Sequence, residues 1–459
     1  MLKQKLKQAL RPLVAASGSP RPPLPPSLWQ LEHQPGRGLC LDGLSLHELL
    51  SRWGSPLHVV HAGALAQKAA AFQEGAGDAC ETFYSYKTNP VPGVLRFLHA
   101  RGIGAEVISP YELWLAFRLG VPADRIIYNG PAKSVESLRE ALTKGVRLVN
   151  ANHREEMAKI AAVANEVGVR APLGIRVAPP QGWAGQFGIP IAGGEALRAF
   201  EEALAEPAFE VKALHAHFGF PIRSEAQLAD LTGAVLGFCD ELHGRFRFEP
   251  TYLDFGGSLA IPTVADMSAS ERRLNRTFLR PLSPPDHTAA VAPAAYVRRL
   301  MEATAQHFRS RGRNAPRLLL EPGRALTGST QMLLASVVET KRAADGTTFA
   351  ILDAGINLAE TVRYQYHQLF PVNRYGEPPA QTYRLVGPIC SPGDILYDAC
   401  PLPALQPGDS LAVMDAGAYF VPFSTSFSFP QPAIVMVEDG RARLLRRAET
   451  FEDLVLLDE

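Results

Sequence analysis

The stretch RIIYNGPAKSVESLREALTKGVRLVNAN (residues 125–152) carries the pattern on which the fold turns. It opens on a short β-type run, RIIYNG, and closes on another, RLVNAN. Between them SVESLREALTKG has helical periodicity, which puts Val135, Leu138 and Leu142 on one face. A strand, a helix and a strand in succession imply two parallel strands joined by a crossover. The same alternation extends outward on both sides. The β-type runs are LHVVHA, TFYSYK, GAEVIS, RIIYNG, RLVNAN, LGIRVA, ALHAHFG, YLDFGG and RLLLEPG, most of them separated by helical stretches. Eight or nine such units between residue 55 and residue 326 fit a (β/α)8 barrel better than an open doubly wound sheet. Beyond residue 327 the runs MLLASVVETKRA, TTFAILDAG, QTYRLVGPIC, DSLAVMDAGAYF and AIVMVEDGRARLLRRA follow one another with short turns and almost no helix. These predict a separate antiparallel β-barrel or sandwich. The expected division is an arm over 1–38, a barrel over 39–326 and a β-domain over 327–459, with residues 39–55 compatible with the β-domain as well.

Bulk properties exclude several function classes. The chain has 459 residues, 46% hydrophobic and 20% charged, and its 46 Lys+Arg balance 46 Asp+Glu. No overall field draws it to nucleic acid or to an anionic membrane, and no apolar run approaches a membrane span. The five cysteines, Cys40, Cys80, Cys239, Cys390 and Cys400, are scattered and form no CxxC pair. That usage predicts reduced thiols in a cytoplasm rather than a disulfide framework or a zinc site, so no metal is expected. The N-terminus is basic without a continuous apolar core, unlike a secretory signal. Leu2, Leu6 and Leu10 fit one side of a short helix, and the prolines from Pro20 to Pro26 predict an extended linker.

Chemistry in a parallel barrel gathers at the carboxyl ends of its strands. The run FYSYKTNP (residues 83–90) ends there on Lys87. Next in order come Ser109 with Glu112, Asn129, His215 and His217, the loop DFGGS (Asp254 to Ser258) and EPGR (Glu321 to Arg324). Two glycines after a strand let backbone N–H groups approach an anion closely, although a tight turn is the commoner use. Glu321 directly follows a buried apolar run, so it needs a cation or a proton donor. Arg324 suits either a structural partner or a phosphate ligand. A lysine able to form a Schiff base, a phosphate cradle, an aromatic plane and a carboxylate are together what pyridoxal phosphate requires.

With those pieces in place the sequence resembles the fold-type III pyridoxal-phosphate decarboxylases, the family of diaminopimelate, ornithine and arginine decarboxylases. The matching pieces, in family order, are the Lys87 strand, GIGAEVISPYEL, RIIYNGPAKS, ALHAHFG, YLDFGGS, LLLEPGRAL, GPICSPGDIL and DAGAYF. The resemblance implies that Lys87 carries the cofactor as a Schiff base and that His217 lies flat on its ring. It implies that Gly256, Gly257, Ser258, Gly323, Arg324 and Tyr419 hold the cofactor, chiefly its phosphate. Glu321 would pair with the ring nitrogen, which favours decarboxylation over racemisation on the same barrel. Cys390 would reprotonate Cα from the β-domain of a second subunit, with Asp394 and Tyr419 beside it, in a head-to-tail homodimer. A racemase and a non-catalytic regulatory homologue are the alternatives.

The departures fall on the substrate side. Ser391 stands where the family has an acid that grips the substrate's distal amine. Arg363 is shifted from the family's Arg-Pro position, Phe220 replaces the serine after HxG, and Phe427 stands where a tyrosine is usual. The segment from Pro262 to Pro293 is longer than the family pattern and carries Arg272, Arg273, Arg276 and Arg280 beside an expected lid. The arginines suit a solvated helix face or recognition of an anionic or large substrate, and the loss of the distal-amine anchor at Ser391 points away from lysine, ornithine and meso-diaminopimelate. These changes point toward a modified amino acid, free or tethered to a carrier protein.

Overall fold

The computed structural model describes Leu10, Leu13, Val14 and residues 21–182 and 185–458. It divides into two compact units, one of residues 66–260 with 289–326 and one of residues up to 65 with 261–288 and 327 onward. Leu2, Leu6 and Pro20 lie outside the described residues.

The first unit is the expected barrel. Its strands are β1 (Cys80–Ser85), β2 (Gly104–Val107), β3 (Ile126–Tyr128), β4 (Leu148–Ala151), β5 (Ala171–Ala178), β6 (Phe209–Ala216), β7 (Tyr252–Asp254) and β8 (Arg317–Leu320). All neighbours pair in parallel, and β8 closes onto β1 with Leu318 opposite Cys80. The strands are buried on both faces, as a parallel barrel requires. Phe83, Ile127, Leu148, Ala213 and Leu319 pack together in the interior.

The crossover read from the opening stretch is the helix Val135–Lys144. Ser134 Oγ accepts the Ser137 N–H at its start, and Gly145 ends it in a left-handed conformation at φ 73°. Leu138 and Leu142 are buried as expected, but Val135 is exposed and Ala141 takes its place in the core. Val135 sits in the first turn, at the rim where the helix begins.

The second unit gathers more of the chain than the sequence indicated. LHVVHA contributes no barrel strand: Leu57–His61 pairs antiparallel with Gln331–Arg342 and parallel with Ala433–Glu438. Thr348–Leu352 and Gln381–Val386 also pair in parallel, so the sheet is mixed rather than purely antiparallel. In both cases the intervening chain is far longer than a hairpin, which removes the constraint toward antiparallel pairing.

The proline segment is extended but packed. Leu24 and Trp29 are 3% exposed and join this unit's core, and Trp29 Nε1 donates to Asp415 Oδ1 at 3.0 Å. The Arg-rich segment also belongs here, through the pairing of Ala265–Asp266 with Gln365–Tyr366. Its helix, Ala269–Phe278, exposes Arg272, Arg273 and Arg276. All five cysteines are free thiols. No helix among the described residues is long and apolar enough to cross a membrane.

Candidate active site

Strand register brings the polar groups together. His215 on β6 pairs laterally with Arg176 on β5 and with Asp254 on β7. Three adjacent strands therefore present a guanidinium, an imidazole and a carboxylate in one layer. Glu321, the residue after β8, joins them: ligand-type atoms of His215, Asp254 and Glu321 lie within 4.8 Å of one another. His215 Nε2 stands 3.5 Å from Glu321 Oε2. On the other side, Asn129 Nδ2 donates to Glu321 Oε1 at 2.6 Å and to Glu106 Oε1 at 2.9 Å. Ser85 Oγ donates to Glu106 Oε2 at 2.5 Å. Glu321 thus meets an amide donor, where the sequence had left open a pairing with Arg324.

Burial governs the protonation of this cluster. Desolvation, then the neighbouring Asp254 and Glu106, holds the Glu321 carboxyl well above its usual range. Burial likewise raises Asp254 to about 7. The interaction between these two carboxyls lowers Asp254 and raises Glu321, so as pH rises Asp254 gives up its proton first and Glu321 keeps its own. Burial, reinforced by the Arg176 charge, keeps His215 neutral. Burial and the nearby Lys87 ammonium do the same to His217.

Lys87 is half-buried in a single 3-10 turn, Tyr86–Thr88, that follows β1. The strand itself stops at Ser85, whose N–H is tied to Pro322 O at 3.4 Å. The lysine is presented by a turn rather than by a strand end, which frees its side chain from the alternation of the sheet.

The glycine loop is tied to its own barrel neighbours. Gly256 N–H donates to Asp254 Oδ1 at 2.8 Å and Gly257 N–H to His217 Nδ1 at 3.3 Å. Both N–H groups orient side chains of the site. Because Nδ1 of neutral His217 accepts, its ring proton sits on Nε2. Gly256 has φ 61°, and a Cβ on Gly257 would stand 2.6 Å from Glu321 O, so neither position admits a side chain without displacement. Ser258 Oγ and Thr88 Oγ1 are buried with no hydrogen-bond partner among the described residues. Ser109 and Glu112 form a cap: Ser109 Oγ accepts Glu112 N–H, and Glu112 Oε2 accepts Ile108 N–H. Burial pushes the Glu112 carboxyl up to about 8.

The other expected residues lie in the second unit. Cys390 is exposed on the loop that follows Gln381–Val386. Ser391 is half-buried, and its Oγ accepts Gly393 N–H at 3.3 Å. Asp394 braces that loop: its two oxygens accept the N–H groups of Ile356 (2.8 Å) and Ile389 (3.0 Å). Gly355 and Gly387 lack the Cβ that would collide with its carboxylate. Arg363 is exposed and paired with Glu360 at 2.9 Å. Tyr419 stacks on Phe423 with ring centroids 5.6 Å apart, and Phe427 is 56% exposed.

Reading the sequence for site residues passed over Glu106, Arg176 and Asp254 as functional groups. All three sit on barrel strands, where a charged residue among apolar neighbours was the available signal.

Comparison with known proteins adds four findings. Residues 62–328 match the sequence pattern of the family described as pyridoxal-dependent decarboxylase, pyridoxal binding domain. The diaminopimelate decarboxylase of Actinosynnema pretiosum is 30% identical, over 97% of this chain and 98% of its own length. That of Aquifex aeolicus is 28% identical, over 93% and 96% respectively. A crystal structure of a protein from Aquifex aeolicus superposes with a TM-score of 0.80 at 28% identity, covering 94% of this chain and 99% of the other.

Proposed function

This chain belongs to the pyridoxal-dependent decarboxylases, with pyridoxal phosphate as cofactor and amino-acid decarboxylation as reaction, and we propose that its amino-acid substrate lacks a free cationic amine at the distal end. Ser391 carries this reading. It stands where the family places an acid, and its hydroxyl is engaged within its own loop by Gly393 N–H. A serine hydroxyl can accept a bond from an ammonium group but offers it no counter-charge, as a carboxylate would. A modified amino acid, free or held on a carrier protein, satisfies that condition. The names of the relatives favour a second reading, diaminopimelate itself.

The cofactor fits the residues present. A ring nitrogen that takes up a proton suits Glu321, a buried carboxyl that already holds one against a second carboxylate. Phosphate oxygens suit the unpartnered hydroxyls of Ser258 and Thr88. In this reading Lys87 would supply the amine that attaches the cofactor, His217 would lie against the ring and Glu321 would hold the proton at the ring nitrogen. Gly256 and Gly257 keep the loop close enough for Ser258, Gly323 and Arg324 to reach the phosphate. When bound, the cofactor supplies an electron sink for the pair released as carbon dioxide leaves Cα. Asp254 and Glu106 add negative charge around Glu321, which keeps its proton from being lost to solvent. Cys390, exposed on its loop, would return a proton to Cα, and Tyr419 would complete the phosphate site. We assign these two residues to a partner subunit's site in a head-to-tail homodimer.

The decisive experiment measures carbon dioxide release from purified holoenzyme with meso-diaminopimelate, lysine, ornithine and arginine. N-acylated and carrier-tethered amino acids complete the panel. Turnover confined to substrates without a free distal amine supports the proposal. Efficient turnover of meso-diaminopimelate would replace it with the second reading. Mixing Lys87→Ala with Cys390→Ala protein tests the shared site: recovery of activity above either variant alone supports it, and its absence removes Cys390 from a partner's site.

A further inference from the structure

We infer that Asn129, locked in place by Asn150, is a positioning residue that aims Glu321 and sets how firmly it holds its proton; the inference rests on the proposed pairing of Glu321 with the ring nitrogen. Asn129 follows β3 directly, 4% exposed, with its N–H on Val107 O at 2.7 Å. Its side-chain amide has two hydrogens, and each has a carboxylate acceptor: Glu106 Oε1 at 2.9 Å and Glu321 Oε1 at 2.6 Å. Those acceptors come from opposite ends of the barrel sequence. Asn129 Oδ1 in turn accepts Asn150 Nδ2 at 2.7 Å.

Chemistry fixes the orientation of this amide. Exchanging its oxygen and nitrogen would press Oδ1 against two carboxylates and set Nδ2 against the Asn150 amide nitrogen, losing three bonds at once. Asn150 is 2% exposed and anchored through its backbone, since its carbonyl accepts Lys133 Nζ at 2.8 Å. Lys133 is itself held by Gly130 O at 2.8 Å and by the Glu156 carboxylate at 3.2 Å. Across the sheet, Asn150 faces Gly174 on β5, and a Cβ on Gly174 would run into Asn150 Oδ1. The glycine in the middle of β5 is therefore the space into which the Asn150 side chain fits.

A neutral donor suits this position. Asn129 stabilises the charged form of Glu321 against burial and the two neighbouring carboxylates, without adding a cation that would cancel the field facing the ring. A lysine or arginine here would form an ion pair and remove that field. A hydrocarbon would leave two buried carboxylates without their donor.

The test compares Asn129→Ala, Asn129→Asp, Gly174→Ala and Glu321→Gln holoenzymes with wild type. One readout is the dissociation constant for pyridoxal phosphate, by fluorescence titration of the cofactor-free protein. The other is the pH midpoint of the bound cofactor's visible absorbance. Both Asn129 variants are expected to bind the cofactor at least tenfold more weakly, the scale of one lost bond to a charged group, and to move the absorbance midpoint. Gly174→Ala, which disturbs Asn150 and touches no carboxylate, is expected to move both readouts the same way by a smaller amount. Combining Asn129→Ala with Glu321→Gln should add little to Glu321→Gln alone.

A purely structural Asn129 would lower the unfolding midpoint while leaving the dissociation constant and absorbance midpoint of the folded protein unchanged, and that result overturns the inference. Should neither Asn129 variant fold, Gly174→Ala decides by the same two readouts. Unchanged values in Glu321→Gln would defeat the reading of Glu321 itself. A shift in Glu321→Gln with none in the Asn129 or Gly174 variants defeats only the role of Asn129.

Discussion

Asp254→Asn isolates the energetic cost of burying a carboxyl beside Glu321 in the barrel. Asp254 is fully buried, and its Oδ1 accepts Gly256 N–H at 2.8 Å. No N–H or hydroxyl among the described residues reaches Oδ2, which leaves the proton on Glu321 as its partner. An asparagine keeps the shape and the Gly256 bond, and its new Nδ2 can donate to Glu321. In wild type the carboxyl titrates at about 7 rather than at its ordinary 3.8.

Folded protein therefore holds a proton that the unfolded chain has already released, so stability falls as pH rises through that window. The gap corresponds to a loss of up to about 4 kcal/mol by pH 8, of which about 3 kcal/mol falls between pH 5 and pH 8. The variant has no such proton to lose. Urea unfolding of cofactor-free protein, followed by the far-ultraviolet circular dichroism of the barrel helices, should show this directly. Relative to wild type, the variant should gain about 3 kcal/mol on going from pH 5 to pH 8, roughly 1 M in midpoint at a slope of about 3 kcal/mol per M. Parallel pH profiles for the two proteins, or a variant less stable than wild type at pH 8, would refute the assignment of strain to this carboxyl pair.

Two further outcomes follow from the same geometry. Glu321→Gln should lower kcat by a factor of about 10²–10³, near 2.7–4 kcal/mol for a lost preorganised group. Its apo-protein should be no less stable than wild type at pH 8, because the amide suits both Asn129 and Asp254; an unchanged kcat would show that another group supports the ring nitrogen. Lys133→Met strands the Glu156 carboxylate, whose partner ammonium and own side chain are both fully buried, and should cost about 3–5 kcal/mol of stability in urea unfolding. Adding Glu156→Gln should recover much of that loss, and a double variant as unstable as the single one would show that the charge pair is not the source.

The barrel was legible because its signal is local and repeated. Each apolar run and each helical stretch, such as Ser134 through Gly145, carries its own start, face and stop within a dozen residues. The placement of Lys87, His217 and Glu321 just beyond barrel strands was likewise readable, since position after a strand is itself a local property. Other features were not. LHVVHA has the composition of a barrel strand, and only pairing with Gln331–Arg342 and Ala433–Glu438 assigns it to the other unit.

The site shows the same boundary between what a sequence determines and what only folding decides. Sequence determined which residue types reach the carboxyl ends of the strands, because strand period and connection length follow from the order of side chains along the chain. It could not rank them energetically. That Asp254 strengthens the hold of Glu321 on its proton, that Asn129 bridges Glu106 to Glu321 and that Gly174 makes room for Asn150 depend on lateral register between strands distant in the chain. Burial and Coulomb interactions act through space, so the tertiary structure alone decided the charge state of the site.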